Sequence, residues 1–238
     1  WNADCSSTHR STDQYHLVEF IWIWRNECVH DVPETQLMKL YSSAPSPFGR
    51  KVKITAHLTG LFDQIEVVNI DGNDPQSAAL NPNPLNKIPA LELDSGQLIV
   101  DSKVICEYLI TQSGRLELLP EHLRVDVLSR AALADGITEA ALLMVYERRF
   151  RAESQINTDW LTRQNQKVLG GLQWFTDNLT EIVATPTIDQ VGLAVTLGYL
   201  DFRFSGEWRT QFTDLALWLN QFQQMVPGYQ LTDPQAHA

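Results

Sequence analysis

From residue 38 onward the apolar positions of this 238-residue chain switch between two periods. Short apolar runs at 39–41, 64–69, 90–93 and 97–100 have the length and composition of strands. Segment 47–59 repeats with the helical period and offers Val52, Ile54 and Leu58 for burial, and a second helix, starting after residue 101, puts Val104, Ile105, Tyr108 and Leu109 on one face. Boundary residues mark the ends. Ser46-Pro47 reads as an N-cap followed by a first-turn proline, and Asp74-Pro75 repeats that signal for a short helix through Leu80. The stretch "NPNPLNKIP" (81–89) must be irregular, because three prolines interrupt it. Asp94-Ser95-Gly96 between two strand runs is a hairpin signal, and Asp101-Ser102 caps the next helix. The predicted order is βαβαββα.

After Gly114 the strand signals vanish. "RLELLP" reads as a connector into roughly five amphipathic helices. The first is expected over 121–151 with an interruption at Gly136. The second covers 158–179 and turns Leu161, Val168, Leu172 and Phe175 inward. The third, 187–202, opens on Thr187 with Gln190 three residues later, a capping box. The last clear helix, 214–225, stops before Pro227. The fold class is therefore α/β plus all-α: a sheet domain over 38–115 and a helical domain over 121–238. Residues 1–37 carry the run "VEFIWIWR", which has strand character but no hairpin partner. They are expected to be a non-native or flexible extension, with Met38 as the natural start and a packed extension as the alternative.

Composition narrows the function classes. A hydrophobic content of 44% supplies a core. The longest apolar run, "LVEFIWIW", is far shorter than the roughly 20 residues a bilayer span needs, so no membrane partner is expected. The net charge is −11, divided as −4 over 1–37, −2 over 38–113 and −5 over 114–238. No segment has the basic excess that phosphate-backbone binding requires, so nucleic acid is not an expected partner. Cys5, Cys28 and Cys106 have neither disulfide-framework nor zinc-ligand spacing, so no metal is expected and a reducing cytoplasm fits.

The basic stretch after Ser46-Pro47, with Arg50, Lys51 and Lys53, raises the question of what the turn before it does. A helix start leaves N–H groups unbonded and carries partial positive charge, so it suits an anion. Asp101-Ser102 forms a second such start, suited to a carboxylate. Between them, a cis proline at Ile88-Pro89 would turn the Ile88 N–H and C=O toward a peptide-like ligand. Each feature alone is ordinary capping or turn chemistry; all three fall in one βαβαββα unit.

In that order and spacing, "SPFGRKV", "NPLNKIPAL" and "DSKVICEYL" resemble the cytosolic glutathione S-transferase superfamily, in particular bacterial members with serine at the active turn. "ALADGI" and "LGYLDFR" extend the likeness through the helical half, so that it covers roughly 200 residues. The resemblance implies a thioredoxin-like domain that holds glutathione as cosubstrate, a helical domain walling a second, hydrophobic electrophile, and a homodimer. It implies a catalytic role for Ser46 beside the glutathione sulfur. Ile88 would pair with the cysteinyl backbone, Asp101 and Ser102 would hold the γ-glutamyl end, and Lys87 would reach the glycyl carboxylate.

Some residues depart from the pattern. No cysteine lies in the turn, which disfavours thiol reductase chemistry, and Cys106 reads as a buried structural thiol. Gln190 stands where the superfamily has Asp, preserving a capping box at the loss of a charge. Ser42 and Ser43 rank behind Ser46, since they precede the helix start. Three functions remain open: conjugation, silent binding of glutathione or a partner, and glutathione-dependent isomerisation or dehalogenation.

Overall fold

The computed structural model describes residues 37–182 and 185–235. The expectation for residues 1–37, including the run "VEFIWIWR", lies outside them apart from Leu37. Strand β1 (Met38–Ser42) shows how the sheet is built, because successive side chains leave a strand on opposite faces. Met38 and Leu40 enter the main core, while Tyr41 joins Ile70 and Ala90 in a small cluster of its own. β2 (Ile65–Asn69), β3 (Ala90–Glu92) and β4 (Leu98–Ile99) complete a four-stranded sheet in the order β2-β1-β3-β4. β1 and β2 run parallel; β1–β3 and β3–β4 are antiparallel.

Helix α1 (Pro47–Thr59) packs against α3 (Ser102–Ser113), and both enter the cluster that holds Leu40; a single-turn helix, α2 (Pro75–Ala78), lies between them in the chain. The βαβαββα order holds, with small shifts at the ends. Residue 64 belongs to a 3₁₀ turn (Phe62–Gln64), and α2 stops short of Leu80. The buried stripe of α3 is rotated from the expected one. Ser102, Ile105, Cys106, Leu109 and Ile110 face inward, whereas Val104 is 51% exposed. Contact with α1, rather than apolarity alone, selects the inward face.

The helical half comprises α4 (Arg124–Arg149), α5 (Thr158–Asp177), α6 (Ile188–Phe204), α7 (Trp208–Gln211), α8 (Thr213–Met225) and α9 (Pro227–Leu231). Gly136 does not interrupt α4. A helical glycine costs only about 1 kcal/mol relative to alanine, and buried Ala134, Ile137, Ala140 and Ala141 hold the helix in place. Gly171 on α5, facing α4, does matter for packing: a Cβ there would stand 2.4 Å from Ile137 Cγ1. Leu161, Val168, Leu172 and Phe175 are buried as expected. Pro227 ends α8 and then occupies the first turn of α9, a helix the periodicity misses because it spans only Pro227–Leu231.

Helix α6 is the centre of this half, buried at every position from Ile188 to Leu200. Its capping box is formed, and Gln190 does more than cap. Its Nε2 donates to Thr180 Oγ1 at 3.2 Å and to the Glu181 carbonyl at 2.8 Å. A carboxylate has no proton to give to these oxygens, so both bonds require the amide that stands here.

Candidate functional site

Ser46 has the extended backbone of an N-cap, and its Oγ accepts from the Gly49 N–H at 3.1 Å. One orphan donor of α1 is thereby satisfied, while the hydroxyl proton is given to no described residue. The turn closes through Ser46 N–H donating to the Ser43 carbonyl at 3.2 Å. Close approach excludes a side chain at Gly49, where a Cβ would lie 1.9 Å from Ser42 Oγ. Ser42 itself is fully buried beneath the turn, its Oγ without a hydrogen-bond partner among the described residues, whereas Ser46 is half-buried.

The proline-rich loop is held by two asparagines that the sequence pattern does not single out. Buried Asn81 and Asn83 both donate through Nδ2 to the Lys87 carbonyl, at 3.1 and 2.8 Å. Their own side-chain oxygens accept from the N–H groups of Asn83 and Leu85, at 3.1 and 3.0 Å. These are Asx-type turns, and the only trace in the sequence is asparagine alternating with proline. The clamp sets the chain just before Ile88-Pro89, whose peptide bond is cis. The Ile88 N–H and C=O bond to no described residue, and Lys87 is exposed.

Asp101 caps α3, accepting from Lys103 N–H at 3.0 Å, and the Val100–Asp101 peptide is also cis. Asp101 is exposed and Ser102 is buried. The topology joins the three features. Residues 43–46 leave the C-terminal end of β1, Ile88 precedes the antiparallel β3, and Asp101 follows β4, which again runs with β1. All three lie on one edge of the sheet, the edge at which strand ends of open α/β sheets present ligand sites.

Cys106 offers no reactive thiol. It is fully buried on α3, 3.4 Å from Thr55 Oγ1, and burial pushes its thiol up to about 11. Among the described residues no cluster of three or more His, Cys, Asp or Glu is arranged to hold a metal ion, and no helix is long and apolar enough to cross a membrane.

A four-stranded sheet with a cis-proline loop at its ligand edge, followed by an all-helical half, defines a thioredoxin-like domain joined to a helical domain. Residues 40–116 match the family described as glutathione S-transferase, N-terminal domain. The GST-like protein YibF of Escherichia coli is 34% identical over 173 residues, covering 70% of this chain and 83% of that protein. A glutathione S-transferase of Methylobacillus flagellatus with GSH bound superimposes with a TM-score of 0.77 at 30% identity, over 83% of this chain and 99% of that one. A glutathione transferase family member of Pseudomonas fluorescens with bound glutathione gives 0.73 at 34%, over 83% and 98%. The maleylacetoacetate isomerase of Pseudomonas aeruginosa matches at 40% identity over 75 residues, 30% of this chain and 35% of that protein. The chain belongs to the cytosolic glutathione S-transferase superfamily.

Proposed function

We propose that this chain is a glutathione transferase that ionises the glutathione thiol at the Ser46 turn and conjugates it to a hydrophobic electrophile. The observation that carries this reading is the Ser46 hydroxyl. Its oxygen is tied to Gly49 N–H and its proton is unclaimed at the start of a thirteen-residue helix. A thiol of pKa about 8.5 is only a few per cent thiolate at pH 7, and lowering it by two units takes about 2.7 kcal/mol. A hydrogen bond to a charged group supplies roughly 1.5–3 kcal/mol and a helix N-terminus roughly 0.3–1. Ser46 keeps its own proton and donates to the sulfur; the thiol proton leaves to solvent. The sulfur then attacks the electrophilic carbon, forming the C–S bond as a leaving group departs with the bonding pair.

Around that centre, Ile88 presents an unused N–H and C=O to the cysteinyl backbone, Asp101 and Ser102 face the γ-glutamyl end, and Lys87 meets the glycyl carboxylate. The bound glutathione of the Methylobacillus and Pseudomonas structures supports this assignment by likeness. Association of two copies in the cytoplasm belongs to the same proposal. It is supported by the apolar side chains left on the surface at β4 and α3, Val100 and Val104, at 40% and 51% exposure.

Calorimetry with glutathione, beside turnover of 1-chloro-2,4-dinitrobenzene, tests the reading. Ser46→Ala is expected to keep glutathione affinity within a few-fold and to lose about tenfold or more in kcat, the equivalent of one charge-assisted hydrogen bond. Unchanged turnover removes the role of the hydroxyl. Isomerisation is the second reading, favoured by the isomerase match over 75 residues; it predicts turnover in which glutathione is not consumed.

A further inference from the structure

Helices α4 and α6 run side by side in the same direction. Arg130 pairs with Asp189 at 2.6 Å, and two turns further along the Thr138 and Thr196 hydroxyls meet at 2.8 Å. Continued towards the C-terminal ends, this register sets Arg203 of α6 level with Met144 and Val145 of α4, next to Tyr146. Burial raises the Tyr199 hydroxyl, Arg203 lowers it both as a charge and as a hydrogen-bond donor, and Tyr146 and Arg149 act on it more weakly. Tyr199 is 4% exposed, and neither its hydroxyl proton nor the Nε–H of Arg203 has an acceptor among the described residues. The Arg203 guanidinium lies 4.3 Å from the Phe202 ring centroid and 5.9 Å from that of Tyr199.

No described acid pairs with Arg203 or Arg149, and the acids nearest in the chain are engaged elsewhere. Asp201 accepts from Trp208 Nε1 at 3.0 Å and from Arg209 Nη2 at 2.6 Å. Glu147 takes Arg151 at 2.8 Å and the Asn157 N–H at 3.0 Å. Among the described residues Arg149 donates only to a neutral amide oxygen, Asn73 Oδ1, at 2.7 Å. That bond ties this end of the helices to the loop leaving β2, hence to the sheet edge that carries Ser46. Unmet buried donors cost free energy, and a guanidinium fork matches a carboxylate. Tyr146 and Phe150, ring centroids 5.3 Å apart, add apolar surface exposed to 42% and 67%.

We infer that the second substrate is an aromatic-bodied molecule bearing a carboxylate, the carboxylate held by Arg203 with Tyr199 behind it and the ring lying along Tyr146 and Phe150. This rests on the transferase reading of the Ser46 edge. Direct binding of 4-nitrobenzoate and of uncharged nitrobenzene to the full chain, followed by calorimetry, tests it. Wild type is expected to bind the acid at least about tenfold more tightly than nitrobenzene, the worth of one charge-assisted hydrogen bond. Arg203→Gln is expected to lose that tenfold, and Tyr199→Phe, which removes only a hydroxyl and guards against a misfolded arginine variant, several-fold. Equal affinity for acid and neutral compound, or unchanged acid binding in both variants, overturns the inference. Glutathione titrated into wild type separates the two readings. Binding of the acid without glutathione keeps the anion site and removes the transfer reaction; binding of glutathione without the acid does the reverse.

Discussion

The ammonium of Lys51 stands 2.6 and 2.8 Å from the two carboxylate oxygens of Asp135, joining α1 of the sheet half to α4 of the helical half. Both side chains are about 95% buried, and Lys103 Nζ adds a second, exposed cation 3.8 Å from the same carboxylate. Removing one member of a buried pair strands the other, at about 3–5 kcal/mol. Lys51→Met is therefore expected to lower the urea-unfolding free energy by about that much, and Lys51→Met with Asp135→Leu to recover most of it. Lys103→Ala, at the exposed partner, is expected to cost less than about 1 kcal/mol.

Arg50 is buried, has no acidic partner among the described residues, and is held by the C-terminal helix. Its Nη2 donates to the Tyr229 carbonyl at 2.9 Å, and its guanidinium stacks 4.0 Å over the Tyr229 ring. Gly198 makes room for both, since a Cβ there would lie 2.2 Å from Tyr229 Oη and 2.8 Å from Arg50 Nη1. Gly198→Ala is expected to destabilise by about 1–3 kcal/mol through overpacking. Faster proteolysis at α9 than in wild type would localise the damage.

Asn83→Ala removes the shorter of the two bonds on the Lys87 carbonyl. Loss of a buried hydrogen bond costs about 1–3 kcal/mol, and here it loosens the chain before Ile88. The expected signature is a glutathione KM raised several-fold with kcat within about twofold of wild type. Steady-state kinetics at varied glutathione reads this directly.

Tyr41 donates to Glu92 Oε2 at 2.6 Å, and that bond, with burial, raises its hydroxyl from 10.0 to about 12. The folded state holds this proton more tightly than the unfolded chain does. The stability it contributes is therefore complete below pH 10 and is lost as the pH climbs from 10 to 12. Urea midpoints of wild type are expected to fall more steeply over that window than those of Tyr41→Phe.

With its thiol near 11 and no exposure to solvent, Cys106 is expected to resist Ellman's reagent at pH 8 in the native protein. A chain carrying Cys5→Ser and Cys28→Ser isolates the measurement. One thiol should react only on adding denaturant; rapid native reaction would mean that α3 opens away from α1.

Most of the elements are legible in the chain itself because their signals are local. Ser46-Pro47, Asp101-Ser102 and Thr187 with Gln190 satisfy orphan helix donors within four residues, so the helix starts can be read from the residues alone. The three site motifs are likewise contiguous, and the cis peptide expected at Ile88-Pro89 is present. Single weak signals misled: Gly136 suggested a break that tertiary packing does not permit, and Pro227 marked an end while also opening a turn of helix.

The sequence by itself determined where most of the strands and helices begin and which short motifs gather at one edge of the sheet, since capping and periodicity act within a turn or two. Only the tertiary structure decided that Arg50 and Lys51 are buried rather than solvated, that Asn81 and Asn83 clamp one carbonyl, and that Tyr199 and Arg203 share an end with Tyr146 and Arg149. The physical reason is reach. A buried charge is tolerated only where a partner from elsewhere in the chain comes within hydrogen-bond distance, as Asp135 does for Lys51 across 84 positions.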